Sequence, residues 1–292
     1  MPSPIIDFHI HMLGQDPPIY SMIGILAYPV STHEEYDKLN TDFSTPESMV
    51  NMLREEGADY GVILADYAPL VGGEETSNEV VGEFCSGHPE LVPFCSANPY
   101  LHGDTGKFIT EACKKYPFKG VKLLPTYNHY YPEDRRMYPL YAAAQEIGIP
   151  VMFHTGSSVL PNTRIKYGNP IFMDALALDF PELKIILSHG GRGPWYKEAM
   201  YMIQRHEHVY IDATGLPVRK LPEYFPGLEH YAGKFVFGTD WPQVRVKHAV
   251  PKYGQLGLSD EALAKILGGN AAKLLGLPEK KEEQEICDEA RK

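Results

Sequence analysis

The feature that most constrains the fold is a regular alternation of short apolar runs with helical patterns. Eight runs rich in Val, Ile, Leu and Phe recur along the 292 residues, each near a segment whose apolar residues have helical spacing. They lie at residues 4–12, 58–66, 91–99, 118–125, 150–156, 183–191, 208–215 and 234–242. Many are apolar almost throughout, as parallel strands are when both faces of the sheet are covered. Eight strands alternating with helices predict an α/β fold, a (β/α)8 TIM barrel.

The alternative architecture is a doubly wound open sheet. Such a sheet usually carries a glycine-rich phosphate loop, and the sequence has no such motif. We found no linker or internal repeat, so we predict one domain over residues 1–292. Residues 13–42 read as a long irregular loop over the barrel mouth, which suggests a lid. The charged residues 279–292 suggest a solvated helix or frayed end, and the last two helices are predicted to be capped by Ser259 and Asn270.

Charge and composition limit the partners. The formal net charge of −11 argues against nucleic acid or an anionic membrane surface as the main partner. No apolar run is long enough for a transmembrane helix, and the N-terminus lacks the pattern of a secretory signal. The four cysteines form no CxxC pair, so we expect free thiols. We therefore predict a cytoplasmic protein with a small-molecule substrate, and we leave a homodimer open as its assembly.

The first strand, IIDFHIHM, carries polar side chains inside an apolar run. Residues two apart on a strand share a face. A regular strand would therefore place Asp7, His9 and His11 on the face toward the barrel axis. It would place Ile6, Phe8 and Ile10 on the opposite face.

Three other predicted strands also end near a histidine or an aspartate. The fifth run ends near His154, the sixth near His189 and the eighth near Asp240. The carboxyl ends of barrel strands form the mouth, where barrel enzymes place their chemistry. A lone histidine at a strand end is more often a satisfied polar group, but this combination suits Zn²⁺ or a similar divalent ion. Such an ion lowers the pKa of bound water toward about 7, and Asp240 could accept the released proton.

Several motifs occur in an order that resembles the amidohydrolase superfamily. They are IIDFHIHM, KGVKLLP, IILSHGG, VYIDATG, FVFGTDWP and ILGGNAAKLLGL. More narrowly, the chain resembles the amidohydrolase-related branch, which includes aminocarboxymuconate semialdehyde decarboxylase and the resorcylate decarboxylases. The resemblance covers nearly the whole chain. It implies a divalent metal held by His9, His11, His154 and Asp240, with Zn²⁺ expected first and Mn²⁺ as an alternative. It implies an acid/base or substrate-orienting role for His189.

Four further residues are candidates near this site. Binuclear superfamily members use a carboxylated lysine on strand four as a bridge, but Lys122 has the sequence context of the branch in which this lysine is not usually a bridge. We therefore predict one metal, with Lys122 as a cation for an anionic substrate; the alternative is a solvated lysine. Arg192 could clamp a carboxylate or pair with a surface acid. Asp212 and Asp7 could each orient a ligand histidine; for Asp212 the alternative is capping a turn.

Three functions are compatible with these residues. The first is hydrolysis of an amide, lactone or ester of a small, carboxylated substrate by metal-activated water, ranked first because it is the commonest chemistry of the superfamily. The second is non-oxidative decarboxylation of a carboxylated aromatic or muconate-like acid, with His189 delivering a proton to carbon. The third is a barrel that binds metal or ligand without turnover. The two enzymatic functions need the same ligands, so the motifs do not choose between them.

Overall fold

The eight predicted strands are all present in the structure, a computed structural model that describes residues 3–12, 32–71, 76–158, 160 and 162–278. They are β1 Ile6–His11, β2 Tyr60–Leu64, β3 Leu91–Ser96, β4 Gly120–Leu123, β5 Val151–Gly156, β6 Ile185–Arg192, β7 Val209–Asp212 and β8 Phe235–Val236. Each strand pairs in parallel with the next one along the chain. The predicted (β/α)8 TIM barrel is confirmed.

The segment that follows β8 closes the barrel against β1. The N–H of Phe8 donates to the carbonyl of Phe237 at 2.9 Å, and the N–H of His11 donates to the carbonyl of Trp241 at 3.0 Å. Ile10 and Trp241 form a parallel bridge. Because the sheet is closed and all strands run the same way, their carboxyl ends form one rim.

Helices connect successive strands. They are α1 His33–Asp42, α2 Pro46–Glu55, α3 Asn78–Cys85, α4 Thr105–Lys115, α5 Pro125–Asn128, α6 Tyr138–Ile147, α7 Met173–Asp179, α8 Tyr196–Arg205, α9 Leu221–Tyr224, α10 Val246–Tyr253, α11 Asp260–Ala264 and α12 Asn270–Leu275. None of the helices in the described ranges is long and apolar enough to cross a membrane.

The two predicted caps near the C-terminus have different outcomes. The Ser259 hydroxyl accepts the N–H of Ala262 at 3.2 Å, so this cap is confirmed. The prediction that Asn270 caps a helix is wrong, because a π-helical turn joins α11 to α12 and Asn270 therefore lies inside a continuous helix. Its side chain amide donates instead to the carbonyls of Ala232 and Phe235, at 2.7 Å each.

The predicted lid and tail lie partly outside the described residues. Residues 13–31 and 279–292 are not described. The last part of the predicted irregular stretch is helical: α1 begins at His33, and Thr32 and Glu35 form a capping box at its start. A lid role for this stretch stays a prediction, as does the single-domain organisation.

A β-bulge in β1 decides which side chains face the barrel axis. The register against β2 shifts between Asp7 and Ile10, where β1 has one residue more than its partner. Within this stretch, Phe8 points into the barrel and packs edge-on against Phe94, with ring centroids 5.5 Å apart. The next residue, His9, also points toward the axis, and Ile10 then joins the apolar layer between strands and helices. The regular alternation predicted for this strand is therefore wrong.

The bulge also places Asp7 away from the axis. Its carboxylate accepts the N–H of Thr239 at 2.9 Å and the hydroxyl of Thr239 at 2.6 Å. Its contact with His9 is through the backbone N–H of that residue, at 3.2 Å. Burial raises the pKa of Asp7 to about 7. The prediction that Asp7 orients a ligand-histidine side chain is wrong, because the strand does not keep its two-residue period.

Candidate metal centre

Three side chains converge at the rim, and their ligand atoms lie within 4.8 Å of one another: His9, His11 and Asp240. The Nε2 atoms of His9 and His11 are 3.1 Å apart. Asp240 Oδ1 lies 3.3 Å from each of them. Burial alone would raise the pKa of Asp240, but the neighbouring histidines hold it well below its usual value. Asp240 therefore offers a carboxylate, the form that binds a cation.

A second carboxylate fixes the ring of His9. Asp212, at the end of β7, lies 2.7 Å from His9 Nδ1, and both side chains are fully buried. Asp212 also accepts the N–H of Thr214 at 3.1 Å and the hydroxyl of the same residue. With Nδ1–H donating to Asp212, Nε2 of His9 presents its lone pair to the centre. The structure thus brings Asp212 to the ring of one candidate ligand histidine, which the sequence did not single out.

A third carboxylate, which sequence analysis missed, contacts His11. Asp66 follows β2, and its Oδ2 lies 2.8 Å from His11 Nδ1. This pair is less enclosed, with 31% of the His11 side chain and 22% of the Asp66 side chain exposed. The sequence could have indicated Asp66, because it ends the apolar run GVILAD, at the point where a strand reaches the barrel mouth.

His154 lies beside these groups but is not one of the three that converge most closely. It is 2% exposed, and its Nε2 has no hydrogen-bond partner among the described residues. Its ring contacts the rings of Tyr127 and His189, with centroids 4.7 Å away in each case. Burial, and then the positive charges of Arg192 and Lys122, lower the pKa of His154 well below its ordinary value. A buried nitrogen without a partner costs about 1–3 kcal/mol, so this atom fits a site that holds a cation.

His189 is held as a neutral imidazole at the end of β6. Its Nδ1 lies 2.9 Å from the carbonyl of Thr214, to which an N–H donates. The residue has a left-handed backbone, with φ of 62°, and the next turn is held by the hydroxyl of Thr155, which accepts the N–H of Gly191 at 2.9 Å. Burial and the nearby Arg192 lower the pKa of His189 well below its ordinary value. Because Nδ1 is occupied, Nε2 is the nitrogen available for proton transfer.

Two cationic side chains reach the same space. Lys122 is fully buried, and its Nζ lies 3.1 Å from His9 Nε2 and 3.4 Å from Ser188 Oγ. The alternative of a solvated lysine is therefore wrong. Burial lowers the pKa of Lys122. Arg192 donates from Nε and Nη2 to the carbonyl of Ser157, at 3.2 and 2.9 Å, and within the described part of the chain it forms no ion pair with an acid.

Comparison with known proteins shows the family of this chain. The family model described as amidohydrolase matches residues 6–277. A gamma-resorcylate decarboxylase from Polaromonas sp. is 26% identical over 187 residues, covering 50% of this chain and 56% of the relative. The chain thus spans just over half the length of that curated relative.

Two solved structures illustrate the similarity of the fold. An uncharacterised TIM-barrel protein from Bordetella bronchiseptica has a TM-score of 0.73 at 26% identity, covering 93% of this chain and 98% of that one. A dihydroxybenzoic acid decarboxylase from Polaromonas sp. JS666, solved with bound manganese and the inhibitor 2-nitroresorcinol, has a TM-score of 0.70 at 18% identity. That alignment covers 94% of this chain and 97% of the decarboxylase.

Proposed function

The chain belongs to the amidohydrolase family, and from this premise we propose that it is a metal-dependent decarboxylase. Its substrate would be a small carboxylated aromatic or muconate-like acid that loses CO₂ without oxidation. The observation that carries the proposal is the convergence of His9, His11 and Asp240 beside a neutral, buried His189. Two of the three similar proteins are decarboxylases, which supports placing this reaction ahead of the hydrolysis expected from the sequence alone.

The donor set fits one divalent cation. Two imidazole nitrogens and a carboxylate oxygen already face one point, and the unpartnered Nε2 of His154 is the candidate for a fourth ligand. When bound, the cation would supply positive charge that holds anionic oxygens of the substrate. Imidazole and carboxylate ligands suit both Zn²⁺ and Mn²⁺, and the manganese in one solved relative makes Mn²⁺ an equal candidate.

Two cationic side chains would recognise the substrate. Lys122 lies beside the candidate ligands, and Arg192 is held against the carbonyl of Ser157 by Nε and Nη2. With these donors occupied, Nη1 of Arg192 remains for a carboxylate or phenolate oxygen. If Lys122 acts as this cation and not as a carboxylated bridge, the site holds one metal and not two.

His189 and Asp240 would handle the proton. When the bond between carbon and carboxylate breaks, its electron pair stays on the carbon, and a proton must replace the departing CO₂. A neutral His189 can accept a proton at Nε2, for example from a substrate hydroxyl, and return it to that carbon. Asp240 remains a carboxylate at neutral pH, so it can hold the cation and accept a proton from a bound hydroxyl group or water.

The test is an assay of two products over one substrate panel. Protein loaded with Zn²⁺ or Mn²⁺ is incubated with hydroxylated benzoates, muconate-like acids and lactones, and CO₂ and hydrolysis products are both measured. We expect CO₂ in equal amount to a decarboxylated product, with deuterium at the protonated carbon when the solvent is D₂O. The variant His9→Ala is the control and should be inactive. Hydrolysis without CO₂ would reverse the ranking, and no turnover of any compound would favour the binding-only barrel.

A further inference from the structure

The two histidines of β1 are oriented by carboxylates that differ in their surroundings. Asp212 holds His9 in a fully buried pair, whereas Asp66 holds His11 in a pair that is partly open to solvent. A neutral imidazole has one N–H, so donation from Nδ1 to Asp66 leaves the lone pair of His11 on Nε2. That atom lies 3.3 Å from Asp240 Oδ1, so the lone pair faces the candidate cation position.

We propose that Asp66 is a positioning residue of the metal centre, and that Asn128 positions Asp66 by holding the carbonyl of the next residue, Tyr67. Asp66 would keep His11 in the tautomer and ring orientation that can bind a cation. The inference rests on the metal centre of the proposed function, but it does not depend on which reaction follows.

The backbone of Asp66 is fixed by the segment that precedes α3. Its N–H donates to the carbonyl of Thr76 at 2.9 Å, in an antiparallel bridge. The hydroxyl of Tyr67, which follows it, accepts the N–H of Asn78 at 3.0 Å. The chain that enters α3 therefore holds both residues, and the Asp66 carboxylate is presented from a supported segment.

Two buried amides converge on one carbonyl beside Asp66. Asn128 Nδ2 donates to the carbonyl of Tyr67 at 2.7 Å, and Asn98 Nδ2 donates to the same oxygen at 3.3 Å. Both asparagines are almost completely buried, where an amide is costly unless it is hydrogen-bonded. Asn98 lies just after β3 and Asn128 ends α5, the short helix that follows β4. These bonds connect the segments after β3 and β4 to the residue next to Asp66.

His11 depends more on its carboxylate than His9 does. The His9 ring is fully enclosed, so packing restricts its orientation even without Asp212. The His11 side chain is partly exposed, so water could replace Asp66 and the ring could turn or exchange its proton. Loss of the Asp66 charge should therefore weaken cation binding while leaving the barrel folded.

The experiment measures metal affinity, which needs no substrate. The full-length protein is stripped of metal and titrated with Zn²⁺ and with Mn²⁺ in competition with a chelator. We expect Asp66→Asn to weaken binding about 10–100-fold, the usual effect of losing a carboxylate behind a ligand histidine. Asp66→Glu keeps a carboxylate, so it should weaken metal binding less than Asp66→Asn does. Asn128→Ala, which changes no group at the centre, should weaken binding by a few-fold.

Two further measurements separate positioning from a merely structural role. Nitrogen-15 NMR of the histidine rings in the Zn²⁺-loaded protein should show His11 with its proton on Nδ1 in the parent and a changed signal in Asp66→Asn. Asp179→Asn is the matched control, because it also removes a carboxylate that accepts a hydrogen bond, from Tyr138 at 2.7 Å, but at the end of α7. Its metal affinity and its His11 signal should equal those of the parent.

The outcomes distinguish this inference from the proposed function. Metal affinity of Asp66→Asn within threefold of the parent would overturn the inference. If that variant does not fold, unchanged affinity in Asn128→Ala overturns it instead. A parent that binds neither cation overturns both the inference and the proposed function. Metal binding that depends on Asp66, in a protein that releases no CO₂, supports the inference and contradicts the proposed function.

Discussion

A methyl group added at Gly238 tests how tightly the barrel packs behind the candidate metal centre. An ideal Cβ at this position would overlap Thr214 Oγ1 and lie 2.9 Å from His9 Cβ. The φ of Gly238 is not in the left-handed region, so alanine fits the backbone and the effect of Gly238→Ala is steric. Thr214 would have to move, although its hydroxyl donates to the carboxylate of Asp212 that orients His9.

These contacts determine how much stability Gly238→Ala should lose. Overpacking a filled interior costs about 1–3 kcal/mol, and loss of the Thr214 hydrogen bond costs about 1 kcal/mol more. We therefore expect Gly238→Ala to lower the free energy of unfolding by about 2–4 kcal/mol. Because the ring of His9 would be displaced, metal affinity should also fall, by about 10-fold or more.

Urea unfolding of the metal-free protein checks this expectation. Gly233→Ala is the control, since a Cβ there would meet no atom within 4 Å, and it should change stability by no more than about 0.5 kcal/mol. Thr214→Ala removes the overlapping oxygen, so the double variant should recover stability, with a coupling energy of about 0.5–3 kcal/mol. A Gly238→Ala protein as stable as Gly233→Ala, with no coupling to Thr214, would refute this account of the packing.

Three other predictions concern the centre and its surroundings. His9→Ala should lose metal and activity together, whereas His189→Ala should keep most of its metal and lose turnover; equal metal loss, measured by elemental analysis, would make His189 a ligand. Asp240→Asn should stay folded and react about 10²–10⁴-fold more slowly, and a rate within a few-fold of the parent would remove it from the proton pathway. Glu56→Ala, which removes the ion pair between the buried Glu56 and the partly exposed Arg245 after β8, should lower the free energy of unfolding by about 1–3 kcal/mol; an unchanged urea midpoint would contradict the role of this pair.

The strand pattern and the end of each strand were readable from the chain alone. Apolar runs separated by helical patterns predict parallel strands whose carboxyl ends share a rim, and this topology brings Asp240 to His9 across more than two hundred residues. The physical reason is that burial on both faces demands apolar strands, which leaves the strand ends as the place for polar groups. Lys122 is a second example. It lies two residues after Gly120 on the same strand, so alternation predicts that its side chain points inward near the mouth, and the side chain is fully buried there.

The neighbours of each strand end, in contrast, depend on how the strands pair in the folded barrel. The bulge in β1 depends on pairing with β2, so the strand alone did not reveal that Asp7 turns outward while Phe8 turns inward. Asp66 belongs to no recognisable motif, and only the pairing of β2 with β1 brings its carboxylate 2.8 Å from the His11 ring. The apolar and polar pattern of a segment reflects how that segment is buried. The register of a strand and its contacts across the rim depend on hydrogen bonds to distant segments, so the sequence of one segment does not encode them.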